Sequence, residues 1–139
     1  MSEPKKVISY YSDGTICYEE YFLNGEYHRV DGPAYIYYCV NGNIKEVHYL
    51  INSDLHRIDG PAIAEYYKNG KVKLEHYYIN HVLHRVDGPA IIKYYENGKI
   101  EYKEYYLNDK YLTKEEFLRS EEHQNYLADK EIEKILSTQ

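Results

Sequence analysis

The sequence predicts a mainly β fold: an elongated antiparallel array of β-hairpin repeats closed by a C-terminal helical cap. Three observations predict it. The phrase His84-Arg85-Val86-Asp87-Gly88-Pro89-Ala90 also occurs as His28 to Ala34 and as His56 to Ala62, 28 residues apart each time, with Val or Ile at its third place. Such a period marks stacked units that cannot bury their apolar faces alone. Each unit also carries Asn-Gly or Asp-Gly between two strand-like runs, and after Leu112 the apolar spacing becomes helical.

Aligned on the period, the units are 3–30, 31–58, 59–86 and 87–114, so that residues 1–112 form the array and 113–139 the cap, into which the last unit runs. In the third unit, Ala62 to Tyr67 and Val72 to Tyr78 flank Asn69-Gly70; the equivalent turns are Asp13-Gly14, Asn41-Gly42 and Asn97-Gly98. These read as two-residue type I′ turns, which want positive φ at both positions. The implied pairing puts Ile63, Glu65, Leu74 and His76 on one face and Ala62, Ala64, Glu75 and Tyr77 on the other. One face then carries two tyrosine ladders: Tyr21, Tyr49, Tyr77 and Tyr105, and beside it Tyr10, Tyr38, Tyr66 and Tyr94. A second connection, as in Leu23-Asn24-Gly25 or Leu107-Asn108-Asp109, leads through the His-Arg phrase to the next unit.

In the cap, Thr113 followed by Glu116 forms a capping box. Phe117, Leu118, Leu127, Ile132 and Ile135 are expected to pack on the last repeat, in one helix bent at His123-Gln124-Asn125 or in two short ones.

Composition narrows the function. Twenty Tyr, no Trp and only Phe22 and Phe117 suit a thin sheet with half-wet faces. A formal charge of -6 argues against a phosphate backbone as partner. No apolar run is long enough to span a membrane and the start MSEPKK lacks a secretion signal, so the expected location is the cytoplasm, the host's if the chain is phage-encoded. Cys17 and Cys39 stand at non-equivalent positions without a CxxC partner and read as free thiols.

The phrase residues His28, Arg29, Asp31, His56, Arg57, Asp59, His84, Arg85 and Asp87 read as repeat junctions, because both halves of the phrase fail where no junction exists. Gly would permit the turn and Asp would accept from backbone amides or a neighbouring Arg. The alternative makes the three arginines donors for a carboxylate- or phosphate-bearing partner. Equivalent histidines one repeat apart, roughly 9 to 10 Å, are too distant to share a metal, and no nucleophile-base pair recurs, so neither metal, cofactor nor catalytic residue is assigned.

The tyrosine-rich strands, the Asn-Gly turns and the His phrase together resemble MORN repeats, over Tyr10 to Tyr111. The resemblance rests on Glu75-His76-Tyr77-Tyr78-Ile79-Asn80 followed by Leu83-His84, and on Glu104-Tyr105-Tyr106-Leu107-Asn108. It is closer to the longer MORN-like variants of bacterial antitoxins and of phage and giant-virus proteins. Arg29, Arg57 and Arg85 stand where a typical MORN unit has Gly. The resemblance implies a stacked hairpin sheet and a binding or assembly role, with microbial conflict as its setting.

The expected function is therefore non-enzymatic: stoichiometric masking or inhibition of a protein partner with a basic surface, through Tyr21, Tyr49, Tyr77, Tyr105, Tyr38, Tyr66 and Tyr94. The alternative is a scaffold that self-assembles through the uncapped strand edge at Val7 to Tyr11.

Overall fold

The computed structural model describes residues 2–139. Its strands are β1 (Lys5–Tyr10), β2 (Ile16–Leu23), β3 (Glu26–Tyr27), β4 (Tyr35–Tyr38), β5 (Ile44–His48), β6 (Leu50–Ile51), β7 (Asp54–Leu55), β8 (Ile63–Tyr66), β9 (Val72–His76), β10 (Tyr78–Ile79), β11 (Val82–Leu83), β12 (Ile91–Tyr94), β13 (Ile100–Leu107) and β14 (Lys110–Leu112). Two helices follow, α1 (Lys114–Arg119) and α2 (Glu121–Ser137). The long strands lie in the order β1-β2-β4-β5-β8-β9-β12-β13, every neighbour antiparallel. The sheet does not close on itself. At about 4.8 Å per strand, eight strands make it roughly 35 Å wide.

Within each long hairpin the register follows the alternation of the sequence: Ile63 pairs with His76, Ala64 with Glu75 and Glu65 with Leu74. The turn differs from expectation. Gly70 N–H donates to the Tyr67 carbonyl (2.9 Å) and Tyr67 N–H to Lys71 (2.9 Å), which encloses three residues, and of Asn69 and Gly70 only the glycine has positive φ, +85°. This is a type I turn closed by a left-handed Gly, with the bulge that such loops carry. Asn69 is there because its side chain accepts the Lys71 N–H (2.9 Å).

Type I′ geometry lies instead in the second connections, which are hairpins of their own. Asn52 and Ser53 (φ 49° and 64°), Asn80 and His81 (49° and 66°) and Asn108 and Asp109 (51° and 65°) join β6 to β7, β10 to β11 and β13 to β14. The second residue of each pair, Ser53, His81 or Asp109, thus holds a left-handed conformation that costs about 1–2 kcal/mol for most side chains. Each has a compensating bond to the preceding repeat: Ser53 Oγ accepts the Tyr27 N–H (3.1 Å), His81 Nδ1 the Leu55 N–H (3.3 Å) and Asp109 Oδ1 the Leu83 N–H (2.7 Å). In the first unit Gly25 occupies that place, with φ 79°.

The apolar interior is thin and runs in rows across the sheet. Ala34, Ala62 and Ala90 are completely buried, each paired through its carbonyl with the backbone N–H of Tyr21, Tyr49 or Tyr77 on the adjacent strand. Small and large side chains therefore alternate across strands, as a single layer covered by folded-over rings requires. Ile36, Val47 and Ala64 form the next row, with Tyr38, Tyr49 and Tyr66 against them.

The cap is two helices, with the break at Ser120 rather than at His123 to Asn125. Thr113 Oγ1 accepts the Glu116 N–H as the capping box predicts, and Ser120 Oγ starts α2 by accepting the His123 N–H. Of the residues expected to seal the array, only Phe117 is buried. Leu118 of α1 is exposed, and so are Leu127, Ile132 and Ile135, because α2 touches the array at its first turn, where His123 is buried, and its later turns leave those three side chains in solvent.

Candidate binding surface

The junction phrase is a set of struts between consecutive repeats. His28, His56 and His84 each meet at Nδ1 the backbone N–H of the next unit's turn asparagine, Asn52 (3.2 Å), Asn80 (3.0 Å) or Asn108 (3.0 Å), and His28 Nδ1 also lies 3.1 Å from the Asn52 side-chain oxygen. The N–H groups of Arg29, Arg57 and Arg85 donate forward to Leu50, Tyr78 and Tyr106 at 3.1–3.2 Å.

Each arginine side chain then folds back over its own repeat. The guanidinium carbons of Arg29, Arg57 and Arg85 lie 4.1, 4.0 and 3.9 Å from the ring centres of Tyr21, Tyr49 and Tyr77. Nε donates to Asp31, Asp59 or Asp87 (3.0, 3.3 and 2.8 Å), and Nη1 to the carbonyl of Pro33, Pro61 or Pro89 (3.2, 3.2 and 3.0 Å). These contacts hold the arginines as covers on the tyrosine ladder. The phrase glycine serves this packing rather than the turn: a Cβ on Gly60 would stand 2.7 Å from Arg57 Cζ, and on Gly32 2.9 Å from Arg29 Cζ. Asp, which opens each unit, accepts from the Arg two residues before it, in the phrase half that closes the preceding unit, as expected.

The tyrosines named as a binding face are accordingly not free. Tyr105 is buried and Tyr21, Tyr49, Tyr77, Tyr38, Tyr66 and Tyr94 are half-buried. Tyr38 donates to Glu19 (3.2 Å) and Tyr94 to Glu75 (2.7 Å), while Tyr66 packs on Val47, which replaces the glutamate in its unit. Burial, with Glu75 beside it, pushes the Tyr94 phenol up to about 12, and burial raises Tyr38, Tyr66 and Tyr77 as well. Exposed phenols occur elsewhere, at Tyr10, Tyr95, Tyr102 and Tyr111.

What the ladder lifts into solvent is the third residue of the phrase. Val30 is 82% and Ile58 84% exposed. Their equivalent Val86 is covered: it packs against the cluster of Tyr105, Leu107, Leu112 and Phe117, and its carbonyl accepts the Nδ1–H of His123 at 2.8 Å. Between successive phrases lie two clefts, of about 600 and 380 Å³, whose rims include Val30 with Ile58 and Ile58 with Val86. An apolar residue amid a polar phrase was the available signal for this ridge in the sequence.

β1 pairs with β2 alone, so its outer edge carries no strand. Cys17 and Cys39 are not disulfide-bonded. Among the described residues no group of three or more His, Cys, Asp or Glu is placed to hold a metal ion, and no helix is long and apolar enough to cross a membrane. No family model, curated protein or solved structure matches this chain.

Proposed function

We propose that this chain is a non-enzymatic protein-binding module that masks a surface of its partner stoichiometrically, and that the junction ridge carries the contact. The observation behind this is the unequal fate of three equivalent residues: Val86 lies under the chain's own helical cap, whereas Ile58 and Val30 stand bare one and two repeats away. Solvated branched side chains on rigid struts suit an apolar partner surface, since little side-chain entropy remains to be lost. The ridge takes the part first read into the tyrosine ladder, which lies beneath it. The charge of -6 favours a basic rim on the partner. A MORN-like ancestry and an inhibitory role in microbial conflict belong to the same reading.

The test is capture of partners with the wild type and with a Val30→Glu, Ile58→Glu variant, whose solvated positions leave folding intact. One protein bound at one-to-one ratio and lost in the variant supports masking; equal capture by both overturns it. A second reading, self-assembly, draws on the bare outer edge of β1. Concentration-dependent oligomers of the pure chain that a proline at Ile8 abolishes would favour it.

A further inference from the structure

A groove of about 1110 Å³ lies at the Asn-Gly turn end of the sheet, with Tyr11, Tyr37, Cys39, Lys45, Tyr66 and Tyr67 among its walls. Its origin is a break in the repeat. Positions 11, 39, 67 and 95 are equivalent and hold Tyr, Cys, Tyr and Tyr. In the first unit Tyr11 donates its hydroxyl to the Tyr38 carbonyl (2.5 Å), and in the third Tyr67 donates to the Tyr94 carbonyl (2.7 Å), each tying its turn to the next repeat 27 residues on. Tyr95 has no following repeat and stands 49% exposed.

In the second unit the same bond would run from residue 39 to the Tyr66 carbonyl, but a Cys cannot span it. Among the described residues no side chain donates to that carbonyl. The two turns are linked differently there, through the Asn43 and Asn41 amides to the Lys68 carbonyl at 3.0 and 3.5 Å. The groove lies between Tyr11 and Tyr67, around the one position of the three where a cysteine replaces the bridging phenol.

We infer that this groove is a binding site for a tyrosine side chain of a partner protein, whose phenol donates to the Tyr66 carbonyl as the chain's own tyrosines do one repeat away. Tyr37 and Tyr67 supply aromatic walls. Lys45, Lys68 and Lys73 line the groove against one acid, Glu96, a local reversal of the chain's negative charge. Lys45 Nζ is held 4.8 Å over the Tyr37 ring. A carboxylate beside the incoming tyrosine is thereby favoured. The identity of the occupant as a protein side chain rests on the protein-binding reading; the phenol site itself does not.

The experiment uses p-cresol as the probe on the full chain. Amide NMR signals of Tyr66, Tyr67 and Asn41 should shift saturably with p-cresol and several-fold less with toluene, which lacks the hydroxyl. The probe should also slow iodoacetamide alkylation of Cys39 several-fold while leaving Cys17 unchanged. Cys39→Tyr should abolish the shifts and raise the Tm by filling the groove; Cys39→Ser, which keeps it open, should retain them. Absence of saturable shifts in the wild type, equal response to toluene, or shifts that persist in a folded Cys39→Tyr protein would overturn the site. The ridge variant should bind p-cresol normally, so loss of partner capture in that variant and loss of the phenol site are separate outcomes.

Discussion

The ring of Phe117 lies against that of Tyr105, centroids 4.7 Å apart, in the place that an arginine guanidinium takes over Tyr21, Tyr49 and Tyr77. The fourth unit has Leu112-Thr113 where the others have His-Arg, so its tyrosine needs another cover, and the first helix brings one. Phe117 is 1% exposed and stacks in turn on His123 at 4.6 Å. Phe117→Ala should therefore cost about 3–5 kcal/mol, the range for removing a buried phenylalanine. Urea unfolding checks the value, and loss of helical ellipticity before sheet unfolding would locate the damage in the cap.

The junction predicts unequal effects from neighbouring residues. Arg57→Ala removes a cation over a half-buried ring and two hydrogen bonds, one of them to the Pro61 carbonyl, and should destabilise by about 2 kcal/mol. The carboxylate of Asp59 is 88% exposed, so Asp59→Ala should cost less than about 1 kcal/mol. Gly60→Ala forces Arg57 off its tyrosine and should approach the Arg57→Ala effect. Equal losses at Asp59 and Arg57 would mean that the ion pair, not the stacking, holds the junction.

The long hairpins were legible because alternation fixes which residues face each other; Ile63 opposite His76 needs no knowledge of the loop. The turn type was not, since Asn-Gly serves both a two-residue I′ loop and a three-residue loop ending in left-handed Gly. The second hairpins were hidden for a different reason. Ser53, His81 and Asp109 do not advertise positive φ; a backbone N–H 26 residues earlier supports them there. Spacing likewise could not show that Arg29, eight residues after Tyr21, folds back onto it.

Those turns yield a test of that support. At position 109, Ala keeps the backbone cost and loses the bond to the Leu83 N–H, whereas Gly loses the bond and relieves the cost. Asp109→Ala should destabilise by about 1–2 kcal/mol, and Asp109→Gly by less than half of that. The same order is expected at Ser53. A larger loss in the glycine variant, measured by chemical denaturation, would contradict the account.

The buried phenols make stability fall in alkali. Tyr27, hydrogen-bonded to Glu20, and Tyr94, buried beside Glu75, are pushed up to about 12 from an ordinary 10, and Tyr18, Tyr38, Tyr66, Tyr77, Tyr78 and Tyr106 are raised mainly by burial. Below pH 10 these groups are protonated in both states and their contribution is complete. Between 10 and 12 the unfolded chain releases protons that the folded chain keeps, so each further rise in pH favours unfolding. The urea midpoint should be flat to about pH 9.5 and then drop steeply. Tyr94→Phe should make the drop shallower, because it removes one such proton while leaving the ring in place. Phenolate formation by Tyr27 and Tyr94 at pH 11 in a fully folded sheet would contradict this account.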